Sequence, residues 1–90
     1  MTRAEILAEA SRWIGTRWQH QAAARGVGCD CIGFVAGVAR ALGLPEAVEF
    51  FSDPRTRGYG RQPDPQMLAE TCARYFDRVD LPAVRLADVL

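Results

Sequence analysis

The segment that most constrains this chain runs over residues 31–42, Cys-Ile-Gly-Phe-Val-Ala-Gly-Val-Ala-Arg-Ala-Leu, in which only Arg40 carries a charge. A helix that is apolar on nearly all sides has no face to give to solvent and must be surrounded. In a chain of 90 residues it is therefore the central element, and the rest must be laid around it. Asp30 stands just before it, where a carboxylate accepts the unpaired N–H groups of a first helical turn. Gly43 closes the helix and Pro45 prevents its continuation. Gly33 and Gly37 would each cost about 1 kcal/mol relative to Ala in an exposed helix. They share a face, and close approach of another element is the expected reason for them.

The surrounding elements follow from caps and periodicity. A first helix is predicted over about 3–15. Thr2 and Glu5 have the spacing of a capping box, with Met1 and Ile6 as its staple. Ile6, Leu7, Ala10, Trp13 and Ile14 follow the helical period, so this helix should meet the core through Trp13 and Ile14, with Gly15 as its stop. Residues 16–30 carry little periodicity, and Gly26 and Gly28 mark turns. Residues 45–63 are punctuated by Pro45, Asp53-Pro54, Gly58, Gly60 and Pro63; they accommodate a short helical turn around Glu46 to Phe51 and otherwise read as loop. Asp64 as cap and Pro65 at the first position open a third long helix over about 65–79. Its predicted apolar face is Leu68, Cys72, Tyr75, Phe76 and Val79. Pro82 ends it, and residues 84–90, Val-Arg-Leu-Ala-Asp-Val-Leu, read as a strand. The class is α+β, in one domain over 1–90. A strand without a partner is not stable by itself. The expectation is that the 90 residues are the N-terminal part of a longer product, with further strands following residue 90 or coming from another chain.

Eleven basic residues balance eleven acidic ones, so the basic excess of a nucleic-acid footprint is missing. No run approaches the roughly 20 apolar residues of a membrane span. The N-terminal stretch alternates charge with apolar residues and lacks the continuous apolar core of a signal peptide, which implies synthesis in the cytoplasm. Three cysteines, two of them separated by one residue, argue against a disulfide framework and for a reducing compartment.

Cys31 falls at the first turn of the central helix. The partial positive charge of a helix N-terminus favours thiolate, whereas the neighbouring Asp30 opposes it, so nucleophilic use of this thiol calls for an imidazole partner. The alternative is a small buried hydrophobe, as free cysteines often are. Cys72, mid-helix on the predicted apolar face, reads as core. Cys29-Asp30-Cys31 is a weak metal signal: a structural zinc site takes four ligands, and only His20 and Cys72 remain to complete one, so neither a metal nor another cofactor is expected. His20, the single histidine, is either a base for Cys31 or a loop residue packed against Trp18 and lining a cleft. Trp18 is either a cleft wall or core. Arg55, Arg57 and Arg61 flank Tyr59, either as contacts for an acidic ligand or simply in a solvated loop.

Residues 30–35, D-C-x-G-F-V in pattern, resemble the nucleophile motif of the NlpC-type cell-wall peptidases. Residues 13–21, with Trp13, Gly15, Thr16 and Trp18, are similar to that family's W-x-G-[TV]-x-Y segment, and the run as a whole looks most like a phage and gene-transfer-agent subgroup of tail-associated wall peptidases. Residues 86–90 resemble the family's G-D-[VL]-[LV]-F strand. The resemblance implies a papain-like fold, of which these residues supply the N-terminal helices and the first strand. It implies a cysteine endopeptidase that cuts peptidoglycan stem peptides, with Cys31 as nucleophile, the helix start around Asp30 and Cys31 supporting an oxyanion hole, and a base histidine on a strand beyond residue 90. By this reading the 90 residues alone are inactive, and the protein acts in the periplasm or cell wall from a phage-like tail, beside hub or baseplate proteins. The other reading is a non-catalytic tail-tip component that keeps the fold and binds a tail hub protein. Trp18 stands where the family usually has tyrosine, and Ile32 where serine is commoner.

Overall fold

The computed structural model describes residues 2–57, 60 and 64–89. Met1 of the expected staple, Gly58, Tyr59, Arg61 and Pro63 of the punctuated loop, and Leu90 of the expected strand lie outside the described residues, as do the side chains of Arg55 and Arg57.

The element order is α1 (Arg3–Ser11), β1 (Ala23–Ala24), β2 (Gly28–Cys29), α2 (Cys31–Ala41), α3 (Pro45–Ser52), the single turn α4 (Pro54–Arg57) and α5 (Pro65–Tyr75), followed by a 3₁₀ turn at Leu81–Ala83. This is a small α+β arrangement. Helix α2 is its centre, with α1, the β1–β2 hairpin and α3 all packed on it. Asp30 caps α2. Its C-terminus closes as a Schellman motif: Leu44 N–H donates to the Ala39 carbonyl (3.1 Å) and Gly43 N–H to that of Arg40 (3.0 Å), with Gly43 at φ +77°. Pro45 then opens α3, whose Ala47 and Phe50 are buried.

Gly33 and Gly37 admit two different neighbours. A Cβ on Gly33 would lie 1.8 Å from the carbonyl oxygen of Ala22, and one on Gly37 would lie 2.3 Å from Cη2 of Trp13. The backbone before the hairpin and the Trp13 indole, just after α1, are thus seated directly on helix backbone. Trp13 is buried, edge-on to Phe34 at 5.8 Å, and its Nε1 donates to Glu9 (3.3 Å).

The structure corrects several expectations. Helix α1 ends at Ser11 rather than near 15, and Ile14 is 85% exposed instead of joining Trp13 in the core. The cause is local. Trp13 and Ile14 N–H bond the carbonyls three residues back, a tighter winding than the α-helix, so the helical phase is lost beyond Ser11. With the indole held by Glu9, Ile14 turns outward. Residues 16–30 are not featureless: β1 and β2 pair antiparallel, Ala23 with Cys29 and Ala24 with Gly28, and Trp18 bridges Cys29 in parallel. Residues 54–57, expected as loop, form α4.

Helix α5 ends at Tyr75 rather than near 79, and its inward face is offset by about one residue from the predicted one. Met67, Thr71 and Tyr75 are half-buried, whereas Leu68, Cys72, Phe76 and Val79 are exposed. Arg74 sets this phase by pairing with Glu49 (2.5 Å) and Asp53 (3.7 Å), while Tyr75 meets Phe50 edge-on at 5.6 Å. Beyond it, Asp77, Val79 and Asp80 are poor helix formers. Finally, no strand forms over 84–89. Ala87 has φ +70°, which a strand does not tolerate, and Asp88 folds the segment back by accepting from Arg85 N–H (2.8 Å). The same carboxylate pairs with Arg3 of α1 (2.5 Å).

Candidate functional site

The start of α2 is assembled from residues on both sides of Asp30. Its carboxylate is 5% exposed yet bonded on both oxygens: Oδ1 accepts from Gly33 N–H (2.7 Å) and Oδ2 from Gln21 N–H (2.7 Å). Its own N–H donates to the Ala22 carbonyl (3.2 Å), the oxygen that occupies the space a Gly33 side chain would need. One residue therefore caps the helix and ties the incoming loop to it. Gln21 sits at φ +60°, a left-handed conformation that costs a non-glycine residue about 1 kcal/mol. The bond from its N–H to a buried carboxylate offsets that cost, since hydrogen bonds to charged groups are the stronger kind.

Cys31 is the first residue of α2 and is exposed, which excludes the buried-hydrophobe reading. Among the described residues its thiol makes no hydrogen bond, with His20 or with any other group. Cys29, two residues earlier, is half-buried on β2. Burial pushes its thiol up, and the charge of Asp30 beside it pushes in the same direction. The two neighbouring cysteines thus occupy different environments. Cys72 is exposed on α5, not in the core as the sequence suggested, because of the offset inward face.

Parallel pairing sets Trp18 beside Cys29. Gln19 N–H donates to the Cys29 carbonyl (3.0 Å) and Cys29 N–H to the Arg17 carbonyl (2.9 Å). The rings of Trp18 and His20 face each other, tilted, at 6.3 Å. Trp18 is 67% exposed and is therefore not core. Backbone pairing thus brings this aromatic pair alongside β2, the strand that leads through Asp30 to Cys31. Gln21 and Ala22, which fix the helix start through backbone groups, have no signature in the sequence, since every residue type supplies a carbonyl and every one but proline an N–H.

Among the described residues no three His, Cys, Asp or Glu side chains gather as metal ligands, and no helix is long and apolar enough to cross a membrane. Comparison with protein-family models, with curated proteins and with solved structures returns no match.

Proposed function

We propose that this chain supplies the nucleophile-bearing part of a papain-like, NlpC-type cysteine peptidase that cuts peptidoglycan stem peptides. The observation that carries the reading is the exposed Cys31 thiol at the first position of the central helix, inside a D-C-x-G-F-V motif whose Asp30 and Gly33 hold that helix start in place. In the proposed reaction Cys31 Sγ attacks the carbonyl carbon of the scissile peptide. The thiol proton passes to an imidazole, the C–N bond breaks, and the leaving amine takes that proton. Water then hydrolyses the thioester. Helix-start N–H groups near Cys31 are suited to stabilise the negative oxygen of the tetrahedral intermediate. Asp30, with both oxygens engaged by backbone N–H groups, is a positioning residue and not the base. The base in this reading is a histidine C-terminal to residue 90, with Trp18 and His20 walling the substrate side. Carriage in a phage-like tail, next to a hub protein, belongs to the same proposal.

The test is release of stem-peptide fragments from purified wall by the full-length gene product. Cys31→Ala abolishes it, while Cys29→Ala and Cys72→Ala leave it intact. Fragment release by the Cys31→Ala protein overturns the reading.

A further inference from the structure

A cavity of about 270 Å³ opens where α1, the hairpin and α2 meet. It is lined by α2 residues six to ten positions after Cys31, so it is separate from the thiol. Its walls are small or flat: Ala23, Ala24, Gly37, Ala41 and the Trp13 ring. Its polar groups are Glu9, Arg25 and Arg40.

The charges around this cavity do not cancel. Glu9 is buried and its carboxylate accepts three hydrogen bonds: Oε1 from Arg25 (2.8 Å) and from Trp13 Nε1 (3.3 Å), and Oε2 from Arg12 (3.4 Å). Two guanidiniums already face that one carboxylate. Arg40 adds a third cation, and its own described partners are uncharged: it donates to the Ala23 carbonyl (2.7 Å) and lies over the Phe51 ring at 4.1 Å. Each guanidinium has five N–H donors in a planar fork. Arg25 directs one at Glu9, and its side chain is still 46% exposed. Both arginines line the cavity and are braced by these contacts, so little further ordering is needed for either to engage a ligand there.

We infer that this cavity binds a compact oxyanion, a phosphate or carboxylate group borne by a small molecule. Guanidinium forks match the paired oxygens of such groups. Glu9 acts by positioning Arg25, and the small residues around it leave space for an entering anionic group. The inference is independent of the role of Cys31.

The test is amide chemical-shift titration of the ¹⁵N-labelled chain at fixed pH and ionic strength, with inorganic phosphate in one arm and acetate in the other. Saturable shifts confined to residues 23–25 and 37–41 are expected. Arg25→Gln and Arg40→Gln each weaken binding by about tenfold. Saturation by phosphate alone identifies a phosphoryl group as the ligand chemistry, and saturation by acetate identifies a carboxylate. Because Arg40 also braces α2 against β1, a poorly folded Arg40→Gln chain leaves the decision to Arg25→Gln, whose side chain is on the hairpin turn. Shifts that do not saturate in either arm, or binding unchanged in Arg25→Gln, overturn the inference.

Discussion

Replacing Gly33 with Ala tests the geometry at the start of α2 through a change of sign. On helix propensity alone the substitution stabilises by about 1 kcal/mol. In this structure the new Cβ would fall 1.8 Å from the Ala22 carbonyl oxygen and 3.0 Å from Oδ1 of Asp30. The nearest atom is backbone, so no side-chain rotamer relieves the clash. Either α2 moves or the 21–22 segment is pushed off it. Overpacking a well-packed site costs about 1–3 kcal/mol. Displacing the Ala22 carbonyl also removes the acceptor of Asp30 N–H, and a buried unsatisfied donor costs about 1–3 kcal/mol more. After the propensity gain is subtracted, a net loss of about 3 kcal/mol remains. In a domain this small each kcal/mol moves the midpoint by about 4–8 °C, so Tm should fall by roughly 12–24 °C. Thermal melts followed by far-ultraviolet circular dichroism read this directly. A Gly33→Ala chain that melts at or above the parent temperature refutes the close approach.

Other consequences follow from the same contacts. Asp30→Asn keeps one acceptor oxygen but turns an amide N–H₂ toward a backbone N–H, so it should lower stability by about 1–2 kcal/mol in urea unfolding; an unchanged midpoint would show that the two hydrogen bonds from Gln21 and Gly33 N–H are not made. Alkylation at neutral pH followed by peptide mapping should label the exposed Cys31 and Cys72 ahead of Cys29, whose thiol is pushed up by burial and by Asp30, and Asp30→Asn should speed Cys29 labelling; equal rates at all three in the parent chain contradict these environments. The Asp88 carboxyl is held below its ordinary value, first by the Arg3 side chain and then by Arg85 N–H. A carboxyl depressed on folding contributes stability above its unfolded pKa and loses it as pH falls through the folded one. Amide exchange in residues 84–89 should therefore rise only at acid pH below the usual carboxylate range, and Asp88→Asn should raise it already at neutral pH; exchange that is independent of Asp88 rejects the Arg3 tie.

What the sequence makes legible here is what single residues determine locally. Thr2, Asp30 and Asp64 each accept the expected N–H three residues on, and Gly43 ends α2 where its free backbone permits. The centrality of α2 follows from its lack of a polar face. The features that escape are those fixed by partners far along the chain. The hairpin uses two-residue strands of Ala, Gly and Cys, too short to alternate, and gains its register from residues 17–19. The phase of α5 is set by Glu49 and Asp53, on and just after another helix. Residues 84–90 have strand-like composition, yet over 84–89 a carboxylate bond from Asp88 to Arg3, 85 positions away, holds a turn instead. At the site, the position of the thiol was legible because a cap and a helix start are local, whereas its surroundings depend on backbone groups of Gln21 and Ala22 that carry no residue signature.

The motif that suggests chemistry also has a structural explanation, and the two separate cleanly at one residue. Asp30 is required by two backbone N–H groups, Gly33 by the Ala22 carbonyl, and Phe34 by its edge contact with Trp13. Those residues would be needed by any chain that starts a buried helix against this loop, whether or not it cleaves anything. Cys31 is different. It is exposed, and among the described residues its thiol is bonded to nothing, so neither packing nor hydrogen bonding calls for sulfur at that position. Substituting it by Ala should accordingly change stability by no more than about 0.5 kcal/mol, the usual range for a surface site. Ala is also the better helix former. Equilibrium unfolding of the Cys31→Ala chain measures this. A loss of 2 kcal/mol or more would mean that the thiol is structural, and would remove the main support for assigning it the attack on a peptide carbonyl. A neutral result makes Cys31→Ala a probe of wall cleavage uncomplicated by unfolding.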